Sequence, residues 1–190
     1  MNFDEAHAVY DAKIKGVLKQ SLVEAAEAFD EIARFRARRY LEIGCAWGGT
    51  LYIYAHACRN PSLLVGLDTG TAYRSWEKLE ATCGLLGREG FTVVLMKADS
   101  HLPETVERVR KIAGTFDVIH VDGDHKLPGV TADWQNYSDL VELGGIMLFH
   151  DVARHVGATR VYLLWEELVK THRTLTIDSG DKMGIGIVYF

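Results

Sequence analysis

Five short apolar runs recur along the chain, at 40–44, 63–68, 92–99, 116–122 and 146–151, and each delivers an acidic residue at or near its end: Glu42, Asp68, Asp99, Asp122 and Asp151. Amphipathic stretches of helical length separate them. The runs therefore read as parallel strands buried on both faces, and the stretches between them as crossover helices. The pattern predicts strands over 40–43, 63–67, 91–96 and 116–121, alternating with helices over 50–59, 74–86, 104–112 and 130–142. Gly144 and Gly145 are expected to end the last of these helices and release a strand over 146–149. Pro61 stands before the second strand, and Pro103 and Pro128 suit the first turns of helices.

Ahead of this alternation, a helix over 4–19 is expected to cap the sheet edge. Leu22, Ala26, Phe29 and Ala33 at helical spacing predict a second helix over 21–38. The tail differs. A helix over 159–170 is followed by β-like stretches at 174–177 and 185–190, too close together for a crossover helix, so these two should pair antiparallel. The expected fold class is α/β: a three-layer, Rossmann-like doubly wound sheet of about seven strands, mostly parallel, with an antiparallel C-terminal edge strand. Such a sheet binds ligands at the carboxyl edge of its strands, where the five acids gather.

With 190 residues, 48% of them hydrophobic, the chain can bury a core of ordinary size and reads as one domain. Residues 1–38 form its N-terminal helices and 39–190 its ligand-binding core. No run approaches the roughly eighteen apolar residues that span a bilayer, and the first ten residues lack the features of a secretory signal, so a soluble, cytoplasmic protein is expected. Cys45, Cys58 and Cys83 form no Cys-x-x-Cys pair and are read as reduced thiols. The formal charge of −5, from 21 basic and 26 acidic residues, disfavours nucleic acid and anionic membranes as partners. The basic cluster Arg34, Arg36, Arg38 and Arg39 is expected at a solvated helix end.

The segment Glu42-Ile-Gly-Cys-Ala-Trp-Gly-Gly-Thr50 joins a strand to a helix and lets a ligand approach the backbone closely. Ala46 stands where a dinucleotide fingerprint has its second glycine, and no phosphate loop of the Gly-x-x-x-x-Gly-Lys type occurs. Asp68, at the end of the second strand, occupies the place where an acid accepts hydrogen bonds from a ribose diol. Asp99 and Ser100 can receive the exocyclic amine of a base. A carboxylate-rich edge suits a cationic ligand better than a phosphorylated one, and S-adenosylmethionine meets that description.

The motifs around Glu42–Gly49, Gly66-Leu-Asp68, Ala98-Asp99-Ser100, Ile119–His125 and Gly144–Val152 resemble the successive motifs of class I S-adenosylmethionine-dependent methyltransferases. The stretch 120–152 is similar to the small-molecule O-methyltransferase group that includes cephalosporin-hydroxylase-like and macrocin-type enzymes. The resemblance implies a cofactor pocket built from Glu42, Gly44, Cys45, Ala46, Trp47, Gly48, Asp68, Asp99, Ser100 and Asp122. It also implies a divalent metal, Mg or Mn or similar, at Asp122, His150 and Asp151. His150 and Asp151 can share an ion only if the chain leaves strand geometry between them.

A methyl acceptor must lose a proton, and Asp124, His125 and His150 are the candidate catalytic residues. Leu127 stands where the related pattern often has an aromatic residue. His101, His120 and His155 have no matching acid beside them in sequence and are read as structural. Trp134 is read as core and Trp47 as a ligand neighbour. The expected reaction is methyl transfer to an oxygen of a small-molecule acceptor, in a site that a homo-oligomer would help to complete. The alternatives are a non-catalytic S-adenosylmethionine-binding protein and an NAD(P)-dependent oxidoreductase. Ala46 and the lack of a Tyr-x-x-x-Lys pair argue against the oxidoreductase.

Overall fold

Seven strands form one sheet: β1 (Arg39–Ile43), β2 (Leu63–Asp68), β3 (Thr92–Lys97), β4 (Phe116–Val121), β5 (Val141–His150), β6 (Arg173–Ile177) and β7 (Ile185–Tyr189). They are seen in a computed structural model that describes residues 1–14, 20–60, 62–71, 76–154, 159–180 and 183–190. The strand order is β3-β2-β1-β4-β5-β7-β6. β1 pairs in parallel with both β2 and β4, so the chain reverses its direction of winding between β1 and β4. That reversal leaves a crevice above the carboxyl ends of the two strands. β7 runs antiparallel to both β5 and β6, so the reversed strand lies one place in from the edge.

Period-two alternation sends the side chains of each strand to two separate cores. On one face Tyr40, Leu64, Val118 and Leu148 pack beneath α1 (Phe3–Ile14), α2 (Leu22–Phe35), α3 (Gly49–Ala57) and α4 (Trp76–Arg88). On the other, Leu41, Ile43, Val65 and Ile119 pack against α5 (Pro103–Ala113), α6 (Leu127–Tyr137) and α7 (Val161–Thr171). Phe29 and Ile32 show how a helix joins this sandwich: both are buried from one face of α2, and such burial contributes about 1.5–3 kcal/mol for each side chain.

Several expectations are corrected. The described part of α1 packs on α3, with the Tyr10 ring 5.9 Å from that of Tyr52; the last part of its expected span, 15–19, lies outside the described residues. α2 ends at Phe35, and Arg36 takes a left-handed conformation with φ 49°. This divides the basic cluster. The Arg38 and Arg39 amides donate to the Asp117 carboxylate at 2.7 and 2.9 Å. The Arg39 guanidinium pairs with Asp117 at 3.1 Å and Glu142 at 3.2 Å, tying together the amino ends of β1, β4 and β5. α6 is shorter than expected, and β5 begins at Val141 and runs through Gly144 and Gly145. A register shift against β4 between Phe116 and Val118 accommodates those glycines, as a bulge does. Among the described residues no helix is long and apolar enough to cross a membrane.

Candidate functional site

The loops that follow β1 to β5 enclose a cavity of about 700 Å³ at the carboxyl edge, within the range of small-molecule sites. Its floor depends on glycine at one position. Gly44 has φ 86°, and a Cβ there would fall on the Asp122 carbonyl and lie 2.7 Å from the Gly123 Cα. Only a residue without a side chain lets the loops after β1 and β4 meet. Hydrogen bonds fix the contact: the Gly44 amide donates to the Leu67 carbonyl and the Asp122 amide to the Ile43 carbonyl, both at 2.8 Å. Asp68 then ties in the loop after β2. Its carboxylate accepts the Ala46 amide at 2.9 Å and the Gly70 amide at 2.6 Å, and each oxygen keeps a further lone pair.

Of the expected site residues, Gly44, Ala46, Asp68, Asp99, Ser100, Asp122, Asp124, His125, His150 and Asp151 line the cavity. Glu42, Cys45, Trp47 and Gly48 do not. Glu42 shares a strand face with Tyr40 and is fully buried beneath α3, where it accepts the Tyr40 hydroxyl at 2.6 Å and the Thr50 hydroxyl at 2.7 Å. It supports the loop from behind. The Cys45 thiol is buried against the Leu67 carbonyl, and burial raises its pKa. The Trp47 carbonyl accepts the Tyr10 and Thr82 hydroxyls at 3.3 and 2.9 Å, and Lys78 lies over its ring at 4.1 Å. Gly48 precedes α3 as its capping residue, with φ 79°, and the Thr82 side chain fills the space of its missing Cβ. Trp134 packs against the second core, its ring 6.1 Å from that of Phe149.

Beyond the glycine loop, Asp122, His125, His150 and Asp151 converge. β5 ends at His150, and Asp151 takes φ 64°, so the chain leaves strand geometry between the two and both side chains reach the cavity. His125 is held at both ring nitrogens: Nδ1 lies 2.6 Å from Asp151 Oδ2 and Nε2 3.1 Å from Asp122 Oδ1. An imidazole that meets a carboxylate at each nitrogen is a double donor, hence a cation. Its pKa is raised to about 10 by the hydrogen bonds to Asp122 and Asp151, against the effect of burial. His150 Nδ1 lies 3.1 Å from Asp122 Oδ1 and 3.3 Å from Asp151 Oδ1. Burial opposes its charged form, but Asp122 outweighs this and raises its pKa. Burial likewise opposes ionisation of Asp122, yet His150 and His125 hold its carboxyl well below the usual range. Gln20 donates to the other Asp122 oxygen at 3.4 Å and accepts the Tyr54 hydroxyl at 3.1 Å.

The three residues expected to share a metal therefore meet, with His150 Nδ1 and Asp122 Oδ1 turned on one another and Asp151 Oδ2 on His125, while His150 Nε2 and Asp151 Oδ1 are buried without a hydrogen-bond partner among the described residues. Among the described residues no group of three or more His, Cys, Asp and Glu is arranged to hold a metal ion. As arranged, this donor set does not fit one.

Sequence reasoning missed His101. It lines the cavity, with Nδ1 3.6 Å from Asp99 Oδ1 and Nε2 3.5 Å from Asp133 Oδ1. The expectation that it lacks a matching acid is overturned, because its acid comes from α6. His120 also has one: its Nδ1 is 3.5 Å from Glu42 Oε2. His155 lies outside the described residues. Thr69, Thr71, Thr159 and Met183 complete parts of the wall. Thr69 and Thr71 were within reach of sequence reasoning, since they follow the acid at the end of β2. Thr159 and Met183 carried no signal.

Three comparisons bear on this site. Residues 41–152, more than half of the chain, match a family model described as a methyltransferase domain. The uncharacterized protein y4gI of Sinorhizobium fredii (strain NBRC 101917 / NGR234) is 25% identical over 167 residues, covering 82% of this chain and 17% of that protein. The chain thus spans about a sixth of the length of this curated relative. An O-methyltransferase from Bacillus cereus in complex with SAH shares the fold with a TM-score of 0.67 at 15% identity, over 99% of this chain and 90% of that one. The SAH-bound Podospora anserina methyltransferase PaMTH1 gives 0.63 at 15% identity, over 97% and 87%. At such identities the likeness to solved structures is one of fold. The family match is more specific, since its span takes in the carboxyl ends of β1 to β5 and so every strand end that borders the cavity; the chain belongs to the methyltransferase-domain family.

Proposed function

We propose that this chain transfers the methyl group of S-adenosylmethionine to an oxygen of a small-molecule acceptor. The observation that carries this reading is one continuous cavity that joins Asp68, Asp99 and Ser100 to the network of Asp122, His125, His150 and Asp151. The first part suits a nucleoside and the second an acceptor. Likeness in fold to an O-methyltransferase in complex with SAH supports the same assignment. Residues 1–190 act as one methyltransferase domain in this reading, with 1–38 as supporting helices.

The backbone at Gly44 and Ala46 runs beside the methionine portion, Asp68 takes the ribose hydroxyls, and Asp99 with Ser100 flanks the base. Glu42, Cys45, Trp47 and Gly48 act from behind, by holding the loop in shape. Asp122 lines the cavity and pairs there with His125 and His150. As the acceptor oxygen bonds to the methyl carbon, the carbon–sulfur bond breaks and its electron pair stays on sulfur, leaving S-adenosylhomocysteine. The acceptor proton must go elsewhere. His125 is already charged in the ordinary pH range and spends both ring N–H groups on Asp122 and Asp151, so it does not take the proton, and His150 is engaged with Asp122. The exposed carboxylate of Asp124 on the cavity wall is the proton acceptor in this reading. Alignment in a shielded site supplies most of the acceleration. No step is assigned to a divalent ion.

Thermal unfolding with added ligand tests the assignment. S-adenosylmethionine and S-adenosylhomocysteine should raise the melting temperature, with about 2.7 kcal/mol of stabilisation at a hundredfold excess over Kd. Formation of S-adenosylhomocysteine on addition of hydroxylated acceptors should follow. Stabilisation by NAD with none by either adenosyl compound would favour the oxidoreductase reading.

A further inference from the structure

The entry to α2 buries polar side chains and exposes apolar ones. Gln20 and Glu24 are 7% and 0% exposed, whereas Leu22 and Val23 between them are 48% and 59% exposed. The rest of the buried face of α2 is apolar, with Ala25, Ala28, Phe29 and Ile32, and Glu24 stands among them. A helix that served only to cover the sheet would carry an apolar residue there, because a buried carboxylate is costly unless it is fully bonded. A buried polar residue is the informative exception to apolar burial, and such exceptions concentrate where a fold serves a site.

Both side chains are engaged toward the same end of the cavity. Gln20 donates to Asp122 Oδ2 at 3.4 Å and accepts the hydroxyl of the fully buried Tyr54 at 3.1 Å. An ionised carboxylate only accepts, so the Gln20 amide nitrogen faces Asp122 and its oxygen faces Tyr54. The other Asp122 oxygen meets His125 Nε2 and His150 Nδ1, each at 3.1 Å, and Gln20 therefore fixes the rotation of the carboxylate. Glu24 Oε1 accepts the amide and hydroxyl of Ser179 at 3.0 and 2.8 Å, and Oε2 accepts the Gly184 amide at 3.2 Å. Gly184 has φ 72°, and a Cβ there would lie 3.3 Å from the Ala153 nitrogen. Beside it, the carbonyl of the lining residue Met183 accepts the Ala153 amide at 2.9 Å. Two positions before Ala153 stands Asp151, with φ 64° and Oδ2 2.6 Å from His125 Nδ1. Gln20 and Glu24 thus each end on one of the two carboxylates that hold the His125 ring.

We infer that Gln20 and Glu24 are positioning residues for the acceptor end of the cavity: Gln20 sets the rotation of Asp122, and Glu24 holds Gly184 and Met183 so that they back Asp151. The start of α2 is then part of the reaction site, although neither residue lines it. The inference rests on the reading of this end as the acceptor site, and the test separates the two.

Heteronuclear NMR of the His125 ring in the full chain at one fixed pH reads both contacts, because Nε2–H meets Asp122 and Nδ1–H meets Asp151. Gln20→Leu, close in size but unable to donate, should shift or broaden the Nε2–H signal and spare Nδ1–H. Glu24→Gln must turn an NH2 group toward the amide of Ser179 or of Gly184, and should move the Nδ1–H signal and the Met183 methyl signal. Glu31→Gln is the control: it lies on the same helix but meets Tyr189, at the opposite end of β7 from Ile185, at 3.3 Å, and should move none of these. Should Glu24→Gln fail to fold, Ser179→Ala removes one of the three donors and should give the same shift in smaller measure. Calorimetry completes the test, and Glu24→Gln should bind S-adenosylhomocysteine within about threefold of the wild type. Wild-type binding of that compound with unmoved ring signals in Gln20→Leu and in Glu24→Gln or Ser179→Ala overturns this inference and leaves the nucleoside assignment standing. Equal movement in Glu31→Gln, or a larger loss of affinity in Glu24→Gln, overturns it as well. No binding by the wild type overturns the reading of the cavity and the acceptor role with it.

Discussion

Replacing Gly44 with alanine tests whether the loops after β1 and β4 depend on backbone contact. Gly44 has φ 86°, and placing a side chain in the left-handed region costs about 1–2 kcal/mol. The added methyl would also fall on the Asp122 carbonyl, a backbone atom that cannot rotate aside. Overpacking of this kind costs roughly 1–3 kcal/mol. The sum, about 2–5 kcal/mol, is a large share of the ~5–15 kcal/mol that holds a typical domain together. Gly180→Ala supplies the control, since Gly180 has φ 81° but nothing within 4 Å of its Cβ position. It should show the strain alone. Urea denaturation of both variants measures the difference. Gly44→Ala should unfold at a distinctly lower midpoint and lose S-adenosylhomocysteine binding, because the displaced carbonyl belongs to Asp122. If Gly44→Ala proves no less stable than Gly180→Ala, the loops do not touch and the account of the cavity floor is wrong.

Three further outcomes are expected. Glu42→Ala removes the acceptor of the buried Tyr40 and Thr50 hydroxyls, leaving Tyr40 only a 3.5 Å contact with His120 Nδ1, so it should cost roughly 1–3 kcal/mol or more in denaturation, more than Glu42→Gln; equal stability of the two would contradict the supporting role. The His125 ring should stay doubly protonated by NMR until the pH nears 10, given its two carboxylates, and a titration near the ordinary ~6.5 would refute the clamp. Asp133 has its pKa raised from 3.8 to about 6, so the native state binds the extra proton and stability should fall as pH rises from about 4 to 6. The fall, about 3 kcal/mol, should vanish in Asp133→Asn; a variant with the same pH dependence would show that Asp133 is not its source.

Much of the architecture was legible because strands buried on both faces stand out as apolar runs, and the acids at their ends mark the carboxyl edge. β5 was misjudged because Gly144 and Gly145 resemble a helix stop, whereas the pair sits inside a strand that bulges against β4. A Cβ on Gly145 would lie 2.6 Å from the Asp117 carbonyl, so close approach of a neighbouring strand, invisible in a linear reading, fixes that residue. Glu42 was misplaced for a simpler reason. Period-two alternation puts it on the face of Tyr40, under α3, and so it could not have faced the cavity. The metal expectation rested on resemblance, and the positions did converge, but the sequence does not reveal that His125 engages both carboxylates. His101 and Asp133 come from separate elements, and only the packing of α6 against the sheet brings them together.

The central claim is that one cavity holds the nucleoside over Asp68 and Asp99 and directs the sulfur toward Asp122. A crystal structure with S-adenosylhomocysteine tests it most directly. The expected result is a ribose within hydrogen-bonding distance of the Asp68 carboxylate, a base beside Ser100 and His101, and a sulfur atom facing the wall formed by Asp122, His125 and Asp151. A ligand bound elsewhere on the chain, or these carboxylates left facing solvent with the ligand absent at saturating concentration, would contradict the account.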